Sequence, residues 1–164
     1  MIYNETIDLY TATHPTFHDV TEDLRRIAKT TGVKNGIATI YSPHTTCSVL
    51  IQEISDGQAY NGEELINQDL VNVFENIIPT CRNEGQYLHP CQKHIELGLS
   101  VLGEEPICSL NTDAHLRSVI MGRSETIPII DGELQLGQFG HVWFADFDQV
   151  RARKRRVIIQ IMGE

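Results

Sequence analysis

Apolar and polar residues alternate clearly from Ile7 onward, with Ile2, Tyr3, Ile7 and Leu9 set among polar neighbours. A two-residue period of this kind predicts an opening strand over residues 2–12. In HDVTEDLRRIAKTTG the period changes, and Val20, Leu24, Ile27 and Ala28 recur at helical spacing. Asp19 or Thr21 can cap that helix at its start, and Gly32 can close it. GIATIYSPHTTCSVLIQE places Ile37, Ile40, Val49 and Ile51 in β-branched surroundings, which predicts two strands, or one bent strand, interrupted near Pro43. Between Gly62 and Pro79, Ile66, Leu70, Val73, Phe74 and Ile77 repeat at three and four, predicting a second long helix stopped by proline. Residues 80–110 hold no sustained period; Gly85, Pro90, Gly98, Gly103 and Pro106 mark a long irregular segment, a type that is uncommon unless functional. NTDAHLRSVIMG predicts a short third helix, capped by Asn111 or Thr112, with Leu116, Val119 and Ile120 on its buried side and Gly122 as its stop. TIPII, ELQL, HVWFADF and RRVIIQIM then read as strands, the first two joined by an Asp131–Gly132 turn. Strands and helices alternate first and strands cluster last. The expected fold is therefore α+β, a single domain over residues 1–164 with a large, mainly antiparallel sheet packed with helices.

Composition narrows the functions open to this chain. Hydrophobic residues make up 41% and charged residues 21% of 164 positions, values of a globular domain large enough to bury a core, and no repeat or apolar run of membrane-spanning length occurs. Thirteen basic against 22 acidic residues give a formal charge of −9, which disfavours nucleic acid as a partner. Five of the basic residues, Arg151, Arg153, Lys154, Arg155 and Arg156, gather before the last strand, either as a solvated strand entry or as a phosphate-facing patch. MIYNETIDLY lacks the basic start and apolar stretch of a secretory leader, so the expected setting is cytoplasmic and the four cysteines are expected to be free thiols.

Seven histidines are the main chemical resource, and none forms a strong local motif. A metal site would have to be assembled by folding; catalytic zinc takes three protein ligands and keeps an open position. His44 in SPHTT, His89 in YLHP and His115 in DAH stand in loops or at element edges, where each is either a ligand or a solvated ring. Asp113, two residues before His115, could orient a ring or act as a base. Among the other carboxylates, Glu53, Asp56 and Asp69 lie near the ends of the His44 strand and on the second helix, and Asp69 sits at the rim of an apolar stripe. Cys47 is three residues from His44, which on an extended chain puts the two on opposite faces. Cys81, Cys91 and Cys108 have no CxxC spacing. LGQFG, with Gly137, Gln138 and Gly140, either brings backbone close to a ligand or makes a bend between strands. No GxGxxG or Walker loop is present.

The ordered set HDVTEDL, SPHTTCSVLIQE, the Asp69 helix, YLHP, DAHLRSVIMGRSETIPI, DGELQLG and RRVIIQIMGE resembles the YjbQ-like family, also called secondary thiamine-phosphate synthase. The resemblance spans most of the chain. It implies an α+β fold, a compact homotrimer and a divalent metal, zinc with magnesium as the alternative, held by His44, His89 and His115. Glu53 and Asp69 are then acid or base candidates. The reaction it implies joins a pyrimidine diphosphate to a thiazole phosphate, giving thiamine phosphate and pyrophosphate, with Arg153 or Arg155 meeting phosphate oxygens. The alternative is a non-catalytic metal- or anion-binding regulatory trimer. Four departures from the family pattern stand out. Gly137, Gln138, Phe139 and Gly140 replace a GTWQ-like segment at the substrate rim, Gln52 replaces an asparagine, Gln149, Val150 and Arg151 stand where the family has Gly-Pro-Arg, and residues 90–109 form a longer connection than usual.

Overall fold

A computed structural model describes residues 1–164 as eight strands and four α-helices. In chain order these are β1 (Ile2–Tyr10), β2 (Thr16–Asp19), α1 (Thr21–Thr31), β3 (Gly36–Tyr41), β4 (Cys47–Gln52), α2 (Leu65–Ile77), α3 (Gln92–Leu97), α4 (Thr112–Met121), β5 (Ser124–Ile130), β6 (Glu133–Leu134), β7 (His141–Asp146) and β8 (Lys154–Gly163). Every strand pair is antiparallel, as expected, but the strands divide into two sheets. One has the order β1-β8-β3-β5-β6 and the other β2-β7-β4.

The burial patterns explain the division. Strands β1 and β8 alternate between covered and open positions, so the five-stranded sheet has one wet face. By contrast Val142 to Asp146 of β7 and Cys47 to Leu50 of β4 are buried at every position, which requires cover on both faces. On one side Val49, Val142 and Phe144 pack with α1 and with Ile40, Ile127, Ile159 and Ile161 of the larger sheet. On the other, Leu50, Trp143 and Ala145 pack beneath Phe74 and Ile78, at the end of α2, and Ala114 of α4. The result is layered, with the small sheet in the middle. No helix is long and apolar enough to cross a membrane.

Local signals match the expected elements. Gly32 ends α1 as expected, but its N-cap is Val20, which has no side-chain cap; Asp19, one residue earlier, accepts the Thr21 N–H at 2.9 Å. Asp131 and Gly132 take φ of 53° and 85°, the left-handed pair that a two-residue hairpin turn demands, and Ile130 pairs with Glu133 across it. Residues 80–110 hold more helix than their sequence indicates: α3 continues into a π-helical turn at Gly98–Leu102, followed by a 3-10 turn at Pro106–Ser109.

Helix α4 departs from its expected orientation. Leu116, Val119 and Ile120 are 40%, 78% and 63% exposed, while Asp113, Ala114, Arg117 and Ser118 are buried. Helical periodicity defines two faces but not which one is covered, and here the polar face has partners inside. Arg117 donates to Glu75 at 3.0 Å and to the Ile78 carbonyl at 2.8 Å, so the buried guanidinium is neutralised and bonded. On α2 likewise, Phe74 is buried while Leu65, Val73 and Ile77 stay exposed.

Glu75 is the polar hub of this corner. Partial burial opposes its ionisation, but hydrogen bonds from Thr80, Arg82 and Arg117 outweigh it and pull the carboxyl down to about 2 from its ordinary 4.5. A folded-state value below the unfolded one gives stability that is complete above pH 4.5 and lost as pH falls towards 2. Glu75→Gln is therefore expected to lower stability at neutral pH and to flatten this acid limb, as urea unfolding at stepped pH would record. An unchanged acid limb would contradict the assignment.

Candidate functional site

The chain passes between the two sheets at residues 42–46, from β3 to β4, and again at residues 147–153, from β7 to β8. Both crossovers lie at one end of the molecule, since Cys47 pairs with Asp146 and the Phe147 N–H donates to the Thr46 carbonyl at 3.1 Å. A cleft of about 350 Å³ opens between them, lined by His44, His115, Arg151, Arg153 and Arg155 among others. A second cleft of about 320 Å³, between the end of α1 and the β5–β6 turn, is lined by Arg25, Lys29 and Lys34 with Asp131 and Glu133. It contains none of the candidate residues, and its charges nearly compensate.

The floor of the crossover cleft is a buried ionic network. Arg155 Nε donates to Asp146 Oδ2 at 2.7 Å and its Nη2 donates to Thr46 Oγ1 at 3.0 Å. Thr46 Oγ1 in turn donates to Asp146 Oδ1 at 2.9 Å, and the Asp148 N–H donates to the same oxygen at 3.0 Å. Arg155 is thus committed mainly to holding the floor. Arg153 stands 3.4 Å from Asp148 with its Nη groups unpartnered, which makes it the freest guanidinium in the cleft. Arg151 is bonded to Glu104.

His44, His94 and His115 line the cleft, and His89 stands next to the latter two, outside the lining. His115, in the first turn of α4, is 3.2 Å from the Thr45 carbonyl through Nδ1. Because a carbonyl only accepts, Nδ1 carries the proton and Nε2 keeps its lone pair, the state in which histidine binds metals. The His89 ring lies 6.2 Å from that of His115 and 4.5 Å from that of His94, centroid to centroid. Partial burial, then the neighbouring His94 and His115, hold its pKa below the ordinary value. His44 is placed differently. Its Nε2 accepts the Arg156 N–H at 3.1 Å, and burial followed by the Arg155 charge lowers its pKa.

This geometry tests the expected metal set. His115 and His89 have the lone pairs and the proximity a ligand pair needs, whereas His44 has its Nε2 occupied by a backbone amide and no ring contact with the other two. No three His, Cys, Asp or Glu side chains converge closely enough to hold an ion. The trio His44, His89 and His115 does not fit a metal within one chain.

The candidate carboxylates lie elsewhere. Asp113 is buried, its Oδ1 accepting the Cys81 N–H at 3.1 Å and its Oδ2 lying 3.6 Å from Arg117; burial pushes its pKa up. It braces α4 against the start of the irregular segment. Glu53 is exposed just beyond the far end of β4, about 20 Å from Thr46 at the rise of an extended strand. Gly137 and Gln138 are exposed near that same far end, because Gln52 pairs with His141. A Cβ on Gly140 would lie 2.2 Å from the Leu136 carbonyl, so LGQFG is a tight bend between strands. Asp69 is exposed on α2.

Four groups of the cleft escaped the sequence reading: His94, Glu104, Asn111 and Asp148, the last two joined by a 3.3 Å hydrogen bond. His94 follows His89 by five residues in a stretch without period, so nothing marked it; the alternation of Asp146 and Asp148 beside the basic cluster was the available signal for the floor.

The sequence model described as "UPF0047 protein YjbQ-like" matches residues 5–164. The chain belongs to the YjbQ-like UPF0047 family. Its relatives include a UPF0047 protein of Methanocaldococcus jannaschii, 31% identical over 89% of this chain and 84% of that one. UPF0047 protein YugU of Bacillus subtilis is 26% identical over 97% and 98%. Among solved structures, a hypothetical protein of Aeropyrum pernix superposes with a TM-score of 0.75 at 25% identity, covering 99% of each chain. A YjbQ/UPF0047 family protein of Clostridium acetobutylicum gives 0.72 at 25% identity over 96% and 99%. The α+β fold expected from the YjbQ-like resemblance is therefore shown.

In this YjbQ-like chain Asp113 is a brace and not a base of the cleft. Asp113→Ala, which leaves the Cys81 N–H without its acceptor, is expected to cost about 1–3 kcal/mol in urea unfolding. Unchanged stability would contradict that role.

Proposed function

We propose that the crossover cleft binds a phosphorylated small molecule and acts as a transferase site that stabilises a departing pyrophosphate, in a reaction of the thiamine-phosphate synthase type. The observation that carries this reading is the Arg153 guanidinium, 3.4 Å from Asp148 and without a side-chain hydrogen bond of its own, beside the cleft-lining rings of His44 and His115.

The chemistry suits what the cleft offers. In the proposed reaction the bond between the pyrimidine's methylene carbon and the diphosphate oxygen breaks, and pyrophosphate leaves with the electron pair. The thiazole ring nitrogen, which bears no proton, donates its lone pair to that carbon and forms the new C–N bond. No proton has to move, so no general base is needed, and Glu53, Asp69 and Asp113 need not reach the reacting atoms. The demand is for donors aimed at developing negative charge, which Arg153 and the imidazole rings can meet in a partly enclosed site. No step is assigned to a metal, because the expected ligand trio does not fit.

A second reading, a regulatory trimer that binds an anion without turnover, is favoured by one observation: Arg151, Arg153 and Arg155 each already face a carboxylate, Glu104, Asp148 and Asp146 respectively. In either reading we propose a homotrimer, in which neighbouring copies cover Val73 and Ile77 of α2 and Val119 and Ile120 of α4.

Calorimetry with inorganic pyrophosphate tests the site. The wild type is expected to bind, more weakly at high salt, and Arg153→Ala to weaken binding about tenfold or more. Release of pyrophosphate only when both organic substrates are present would establish the transferase; binding without such release would leave the regulatory reading, and no binding would overturn both.

A further inference from the structure

The same cleft carries a sharper assignment for one of its histidines. We infer that His44 is a hydrogen-bond donor to the bound oxyanion through Nδ1–H, and not a metal ligand; the inference rests on the phosphate-binding reading of the cleft.

The argument starts at the end of the larger sheet. β3 pairs with β8 only as far as Tyr41 opposite Ile158, while β8 continues to Lys154 along β1. Beyond Tyr41 the N–H groups of β8 that pointed towards β3 lose their ladder acceptors. His44, on the crossover that leaves β3, supplies one: its Nε2 takes the Arg156 N–H at 3.1 Å. The imidazole stands in for the missing strand carbonyl. Its backbone is held as well, the His44 N–H donating to Ser42 Oγ at 3.3 Å.

An amide N–H can only donate, so Nε2 must present a lone pair, and a neutral imidazole with a bare Nε2 carries its proton on Nδ1. Nδ1 has no partner within the chain, and the ring lines the cleft beside Arg153 and Arg155. What His44 adds to the cleft is therefore an N–H, suited to a phosphate oxygen and unsuited to a cation. His115 has the opposite polarity, with Nδ1–H spent on the Thr45 carbonyl and a lone pair left on Nε2. Two histidines that look equivalent in the sequence are thus a donor and an acceptor.

The experiment compares wild type, His44→Ala, His44→Asn and His44→Gln after treatment with a chelator, with inorganic pyrophosphate as the calorimetric probe. The Asn amide can place its N–H near the position of Nδ1, whereas the Gln amide reaches the position of Nε2. The expected result is about a tenfold loss of affinity for Ala and Gln and recovery of most of it for Asn. Long-range proton–nitrogen NMR of the wild type should find His44 in the Nδ1–H tautomer, a readout that needs no variant to fold. Unchanged pyrophosphate affinity in His44→Ala, an Nε2–H tautomer, or loss in His44→Ala of a cobalt(II) absorption band that the wild type shows would overturn the assignment while leaving the anion site standing. A wild type that binds no pyrophosphate would remove the cleft's proposed function and this assignment together.

Discussion

Asp146 is a fully buried carboxylate where the two sheets meet, and the arrangement of the cleft depends on how its charge is satisfied. It ends β7 in the small sheet, accepts a hydrogen bond from the Nε–H of Arg155 on β8 in the large one, and accepts from Thr46 on one crossover and from the Asp148 amide on the other. An isolated buried carboxylate is costly, so a partner held at 2.7 Å with further donors around it is a condition of its being there. Each of those donors comes from a different stretch of chain. The network thereby fixes the relative position of β7, β8 and both crossovers, and with them the walls on which His44, Arg153 and His115 stand.

That arrangement separates two tasks the basic cluster left mixed. Arg155 is structural in its main commitments, and Arg153, two residues earlier and on the same side of the chain, keeps its Nη groups free. The same division runs through the histidines, whose roles follow from which backbone group each ring meets.

Much of the fold was legible along the chain because its signals are local. The Gly32 stop of α1, the Asp131–Gly132 turn and the helical spacing of Leu24, Ile27 and Ala28 each specify structure within a few residues. The split into two sheets was not legible, because it depends on β3 and β4 pairing with different partners across the break at Pro43. The orientation of α4 was misread for a related reason: Leu116, Val119 and Ile120 form an apolar stripe, but Arg117 finds Glu75 and the Ile78 carbonyl inside and so takes the buried face. For the site, residue type and edge position picked out His44 and His115, and the resemblance singled out Arg153 and Arg155 from the basic cluster; all four line one cleft. Glu53, marked by its place near the end of the His44 strand, and Gly137 and Gln138 of LGQFG stand at the opposite end of β4 and β7. His94 and Asp148 enter the cleft through tertiary contacts that no short-range pattern announces.

The most direct test of the Asp146 brace is a double-mutant cycle in urea unfolding with Asp146→Asn, Arg155→Met and the pair together. If the buried carboxylate and guanidinium hold the sheets as described, each single change leaves the other group stranded and costs about 3 kcal/mol or more, and the double variant costs far less than the two added. Single changes costing under about 1 kcal/mol and adding simply would mean that the sheets are joined by something other than this pair.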